Sequence, residues 1–278
     1  MRPDCQNEFE TLANLRYKSA RDRAFTLVEL LVVVSIIGLL AAIGLPAIRG
    51  MNKSNAMIAS NGQFKDDLAY ARQRAISDHT SVFMVFVPPS VISYTPNPAT
   101  SDAAMLTQYS NLLGSQFTTY ALVSMRQIGE QPGRATPHYL TPWRNLPSGV
   151  FLAVTNFMEP NVDNQGSGVA TPQSLAAFPT ATTFPFPNST NFPGLSLPYI
   201  GFDYQGRLTY ADGTMRTVDA YIPLARGSIF YARNADGSFA NQPADLQETP
   251  PKNSIVTSNV MHINALTGRV KLETPSLQ

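Results

Sequence analysis

Glu29 is the only charged side chain in the 24-residue run 25–48, FTLVELLVVVSIIGLLAAIGLPAI. In so apolar a setting a carboxylate needs a cation, because an acid near the middle of a membrane helix costs about 2.5–3.5 kcal/mol on insertion scales, and less towards the interface. The run itself contains no basic residue. A cut between Ala24 and Phe25 would supply one, since the new α-ammonium stands four residues before Glu29, one helical turn away.

Other residue sets offer less chemistry. The chain has no phosphate-binding P-loop, no G-x-S-x-G elbow and no H-E-x-x-H helix, and no Ser, His and acid set has a recognisable local context, so it reads as not an enzyme. His79, His138 and His262 are too far apart in sequence to be a local ligand pair, and the single cysteine, Cys5, precedes the proposed cut. Asp163, Asp203, Asp212 and Asp236 lie in turn-like contexts without the ligand spacing of a calcium loop, and Asn234 to Gly237 reads as a hairpin turn. No cofactor or small-molecule substrate is expected. Arg269 and Lys271, spaced by two, would share one face of a strand and could touch successive DNA phosphates, although a solvated strand face is the plainer reading. A net charge of +1 gives no electrostatic footprint of a dedicated nucleic-acid binder.

The elements that position these residues follow from hydrophobic pattern. As a helix the run 25–48 is long enough to span a bilayer. Arg16, Lys18, Arg21 and Arg23 precede it, which by the positive-inside rule keeps the N-terminus cytoplasmic and sends the remainder across. Pro46, with Gly44, either kinks the helix or marks its end. Beyond it Met57, Phe64, Leu68, Ala71 and Ala75 form a helical stripe beside Lys65, Asp66, Arg72 and Arg74, predicting an amphipathic helix to about Ser77 that packs on a sheet. Asp78, His79 and Thr80 end it ahead of the strand-like SVFMVFV.

Further strands are predicted at 120–125, 150–155, 199–204, 207–210, 217–222, 228–232, 255–264 and 269–272. FDYQGRLTY and INALTGRVKL each read as a hairpin whose Gly allows positive φ. The stretches 88–114 and 159–198, the latter with seven prolines from Pro160 to Pro198, read as exposed loops. Low charge and 22 prolines fit a loop-rich β domain.

Ala24-Phe25-Thr26-Leu27-Val28-Glu29 followed by LLVVVSIIGLLAAIGLP resembles the class III signal sequence of type IV prepilins and pseudopilins. The segments LAYARQRAISDHTSVFMVFV, IGFDYQGRL and INALTGRVKL resemble the GspH/FimT-like minor pseudopilins. The resemblance implies cleavage after Ala24 by prepilin peptidase and N-methylation of Phe25. It also implies a retained helix in which Phe25, Glu29 and Pro46 serve assembly, with other pilins and the inner membrane as partners. Two departures stand out: Ala24 replaces the usual Gly, and the leader is long. A secretory signal peptide or a plain single-pass anchor are the competing readings of the run. The expected organisation is a 1–24 leader, a 25–48 membrane and assembly helix, a 49–78 amphipathic half, and a 79–278 periplasmic domain. The expected class is α+β: a long N-terminal helix on an antiparallel β-sheet or sandwich, the pilin fold. The functions implied are a structural subunit of a type II secretion or type IV pilus-like filament or, alternatively, a DNA-uptake minor pilin; a membrane-tethered enzyme is the remaining rival.

Overall fold

A computed structural model describes residues 26–94, 96, 101–131, 133–157, 178–180, 182–188, 194–256 and 259–273, the side chains of 43–54 and of Ser90 excepted. The expected leader 1–24, Phe25 and Asp163 lie outside the described residues, as does the side chain of Pro46. Two compact units emerge, 1–50 and 51–278.

Helix α1 (Leu27–Ser77) begins in the first unit. Pro46 falls inside this helical span, so the alternative that the helix stops there is not what forms. Among the described residues no helix is long and apolar enough to cross a membrane. The membrane-spanning part of the expectation is therefore not supported by the described helix.

The second unit is built around the stripe predicted for the later part of α1. Met57, Phe64, Leu68, Ala71 and Ala75 are all buried. The helix ends as its sequence demands: His79 takes φ 48, and the Thr80 N–H reaches back to the Ala75 carbonyl at 3.2 Å, a left-handed cap of the Schellman kind. Arg74 and Asp78 pair across the last turn at 2.7 Å.

The chain then enters a six-stranded antiparallel sheet. Its members are β1 (Val82–Phe86), β2 (Thr119–Ser124), β3 (His138–Tyr139), β4 (Arg144–Asn145), β8 (Tyr199–Phe202) and β9 (Leu208–Thr209), ordered β3-β2-β1-β8-β9 with β4 also on β2. A second, five-stranded sheet comprises β5 (Val150–Leu152), β10 (Ala220–Phe230), β11 (Asp245–Glu248), β12 (Asn259–Ile263) and β13 (Val270–Glu273), ordered β11-β10-β12-β13 with β5 on β10. The pair β6 (Thr183–Phe184) and β7 (Leu195–Ser196) forms a small ribbon.

Strand alternation divides the core. Val82, Met84 and Phe86 face α1 and share one cluster with Ile222 and Leu224 of β10 and Met261 and Ile263 of β12, so both sheets and the helix enclose a single core. Phe83 and Val85 point the other way, into a second cluster closed by α2 (Ala103–Leu113) and by Phe184, Phe186 and Leu197. Both sides of β1 are thus covered, which explains its unbroken apolar run.

The outer cluster corrects two expectations. The stretch 88–114, expected as exposed loop, contains α2, whose Met105, Tyr109, Leu112 and Leu113 are buried. Asp102 caps it by accepting the Met105 N–H at 2.6 Å. Within 159–198, Phe178, Phe184, Phe186 and Leu197 are core residues. The expected strands 217–222 and 228–232 merge into the one long β10, while 255–264 divides into the short helix α3 (Asn253–Val256) and β12.

Candidate functional site

The candidate site is the start of α1. Thr26 precedes the helix, and its Oγ1 accepts the Glu29 N–H at 3.2 Å. Thr26-x-x-Glu29 is the capping-box pattern, in which a hydroxyl satisfies an amide that the helix leaves open. Glu29 lies in the first turn, where a carboxylate also meets the positive end of the helix dipole. Thr26 went unnoticed as a functional residue in the sequence reading; the T-x-x-E spacing is the signal that finds it.

Beyond this cap the helix is apolar on every side. Eleven large hydrophobic residues between Leu27 and Leu40 are exposed, from 45% at Val33 to 81% at Leu27. At 100° per residue they point in all directions, so the segment has no polar face to give to water. The hydroxyl of Ser35 does not supply one, because it donates to the Leu31 carbonyl at 2.8 Å within the helix. An apolar surface of this extent needs a nonaqueous or protein environment.

The predicted residues fall as follows. Glu29 is exposed on the first turn of α1, whereas Ala24 and Phe25 lie outside the described residues, so the ammonium partner is not placed. Arg269 immediately precedes β13 and Lys271 lies on it, and both are exposed. The Lys271 Nζ stands 3.9 Å from Glu273 Oε1, so a carboxylate accompanies the cation that was to meet a phosphate. The turn aspartates are occupied by their own loops. Asp203 accepts the Gln205 and Arg207 N–H groups at 2.9 and 2.8 Å and the Arg207 guanidinium at 2.8 Å. Asp212 accepts from Thr214, and Asp236 from Ser238, which holds both carboxyls below the usual range. Among the described residues no group of His, Cys, Asp or Glu is arranged to hold a metal ion.

The prokaryotic N-terminal methylation motif matches residues 19–45. The match supports a class III prepilin-like N-terminus and, with it, a type IV pilin-like or pseudopilin subunit, and it points to a structural role in a filament. No curated protein and no solved structure matches the chain.

Proposed function

We propose that this chain is a minor pseudopilin or minor pilin of the GspH/FimT kind, a subunit of a type II secretion or type IV pilus-like filament. Prepilin peptidase cuts after Ala24, Phe25 is N-methylated, and the helix stays with the mature chain as an inner-membrane anchor with its N-terminus cytoplasmic. On assembly the helix leaves lipid for a bundle of like helices, where small and apolar side chains pack and Glu29 meets the Phe25 ammonium of its own or an adjacent subunit. The β domain stays outside the cytoplasm and decorates the filament.

The observation that carries this reading is the eleven exposed large hydrophobics on all sides of 27–40, behind a single first-turn carboxylate. A helix with no polar face is at home first in lipid and then among copies of itself. The basic residues Arg16, Lys18, Arg21 and Arg23 support the cytoplasmic placement. Intact mass and N-terminal sequencing of the protein from its own membrane test the proposal. The expected chain begins at N-methyl-Phe25 and retains 25–48; one that begins upstream, or lacks the apolar run, overturns it.

A further inference from the structure

On the outer face of the second sheet, His262 sits between two carboxylates. Its Nε2 is 2.7 Å from Asp219 Oδ2 and its Nδ1 is 2.9 Å from Glu273 Oε1. The residues come from three neighbouring strands or their ends: Asp219 just before β10, His262 on β12, and Glu273 at the end of β13. Register puts them on one face, because His262 stands opposite Tyr221 on β10 and Lys271 on β13, with Asp219 and Glu273 two residues away along each partner. The imidazole stacks flat on the Tyr221 ring, with centroids 4.6 Å apart and planes within 9°. Asp219 is itself fixed, since its Oδ1 accepts the Ala265 N–H at 2.7 Å.

A carboxylate can only accept a hydrogen bond, so both ring nitrogens must donate, and only the doubly protonated imidazolium does that. Loss of one proton turns a nitrogen lone pair towards a carboxylate oxygen, replacing attraction by repulsion. Glu273 is the more exposed of the two acids and belongs to β13, which among the described residues pairs only with β12 and so stands at the edge of its sheet.

We propose that Asp219, His262 and Glu273 form a proton-operated clasp that holds the edge strand β13 on β12 while His262 is doubly protonated and loosens it when one proton leaves. Among the described residues, the groups facing the imidazole are Asp219 and Tyr221 from β10 and its approach, and Lys271 and Glu273 from β13. The Arg216 guanidinium acts electrostatically on Asp219. Partial burial alone would lower the His262 pKa, but the bonds and charges of Asp219 and Glu273 outweigh it and raise the value above 6.5. The clasp is therefore fully closed below that pH while both carboxylates stay ionised, and opens as pH rises through the raised value. Its mechanism is independent of how the first helix is used.

The test uses the full-length chain in detergent micelles with nitrogen-15-labelled histidine. Only three histidines occur, so the H262Q variant assigns the signal by its disappearance. The expected result is a doubly protonated His262 that persists above pH 6.5. Amide exchange at 270–273, corrected for intrinsic rates, should accelerate severalfold with the same midpoint. Linkage requires the loss of protection to equal the ratio of His262 proton affinities in the closed and open strand. Glu273→Gln, which preserves shape, should lower the midpoint and shrink the alkaline loss. A His262 that titrates at or below 6.5, exchange unchanged through its midpoint, or an unmoved midpoint in E273Q would each overturn the clasp.

Discussion

Gly268 lies so close to Gly206 that a Cβ added to it would stand 2.0 Å from the Gly206 carbonyl oxygen. The two glycines are the positive-φ residues of the β12–β13 and β8–β9 hairpin turns, at φ 60 and 78. Arg72 of α1 bridges both turns, its Nε donating to the Gly206 carbonyl at 3.2 Å and to that of Thr267 at 2.7 Å. The helix, the first sheet and the second sheet are thus tied at one point, and two separate glycines in the sequence serve one contact.

Gly268→Ala should therefore be far more damaging than an ordinary turn substitution. It adds a left-handed backbone cost of roughly 1–2 kcal/mol to a clash with a carbonyl that Arg72 and the turn hold in place. Gly213→Ala is the control, because it shares the positive φ, at 86°, but meets nothing within 4 Å. Denaturant unfolding of the two variants should rank G268A as the less stable by at least about 1 kcal/mol. Equal losses would show that the turns do not touch.

A second linkage ties α1 to the first sheet through Asp67, which is buried. Asp67 accepts the Tyr120 hydroxyl at 2.7 Å and pairs with the Arg144 guanidinium, while Gln63 donates to Tyr120 Oη at 2.9 Å. Burial first, and then the adjacent Asp67, push the Tyr120 phenol far above its usual range, so it is a permanent donor. Tyr120→Phe should cost about 1–3 kcal/mol, since it leaves a buried carboxylate oxygen without its donor. Asp67→Ala should cost more, because it also leaves Tyr120 and Arg144 unmatched. Thermal unfolding of each single variant and the double variant would read the coupling, and additive losses would deny it.

The parts of the fold that a period could reveal were legible. The stripe from Met57 to Ala75, the strand after Ser81 and the two glycine hairpins all form where their patterns place them. What hid were elements masked by prolines. Met105, Tyr109, Leu112 and Leu113 have helical spacing behind an Asp102 cap, yet Pro88, Pro89, Pro96 and Pro98 made the region read as loop. The expected strands 217–222 and 228–232 are one because the strand runs on through Pro223, which sits opposite Val260 and whose carbonyl accepts the Ala153 N–H at 3.0 Å. At the helix start Glu29 was visible by its isolation. The His262 cluster was not, because residues 219, 262 and 273 meet only once strand register is known.

Acid should weaken the domain through Asp219. Burial raises its pKa, but the Ala265 N–H and His262 outweigh this and leave it below the ordinary 3.8. A depressed acid contributes stability above its unfolded value, and that contribution disappears as pH falls through the folded one. Asp219→Asn should therefore be less stable than the parent near pH 6, with the gap closing below about 3.9. Thermal melts of both full-length proteins in the same detergent from pH 6 to pH 3 provide the comparison. A gap that stays constant would mean that the carboxylate's charge contributes nothing.

Processing and assembly should separate at the first turn. Ala24 is small, so Ala24→Trp should block the cut and leave uncleaved precursor in membranes, visible as an unshifted band and mass. Glu29→Ala acts elsewhere: it removes the only charge from 25–48, which makes insertion easier and should leave the chain anchored. The mature ammonium would then lose its counter-charge, and incorporation into filaments or N-methylation of Phe25 should fall by at least tenfold, the effect of about 1.4 kcal/mol. Glu29→Gln keeps the size and removes the charge, so it separates pairing from packing. If either variant is methylated and enters sheared filaments at the parent level, the acid has no electrostatic role there, and Thr26–Glu29 is a helix cap alone.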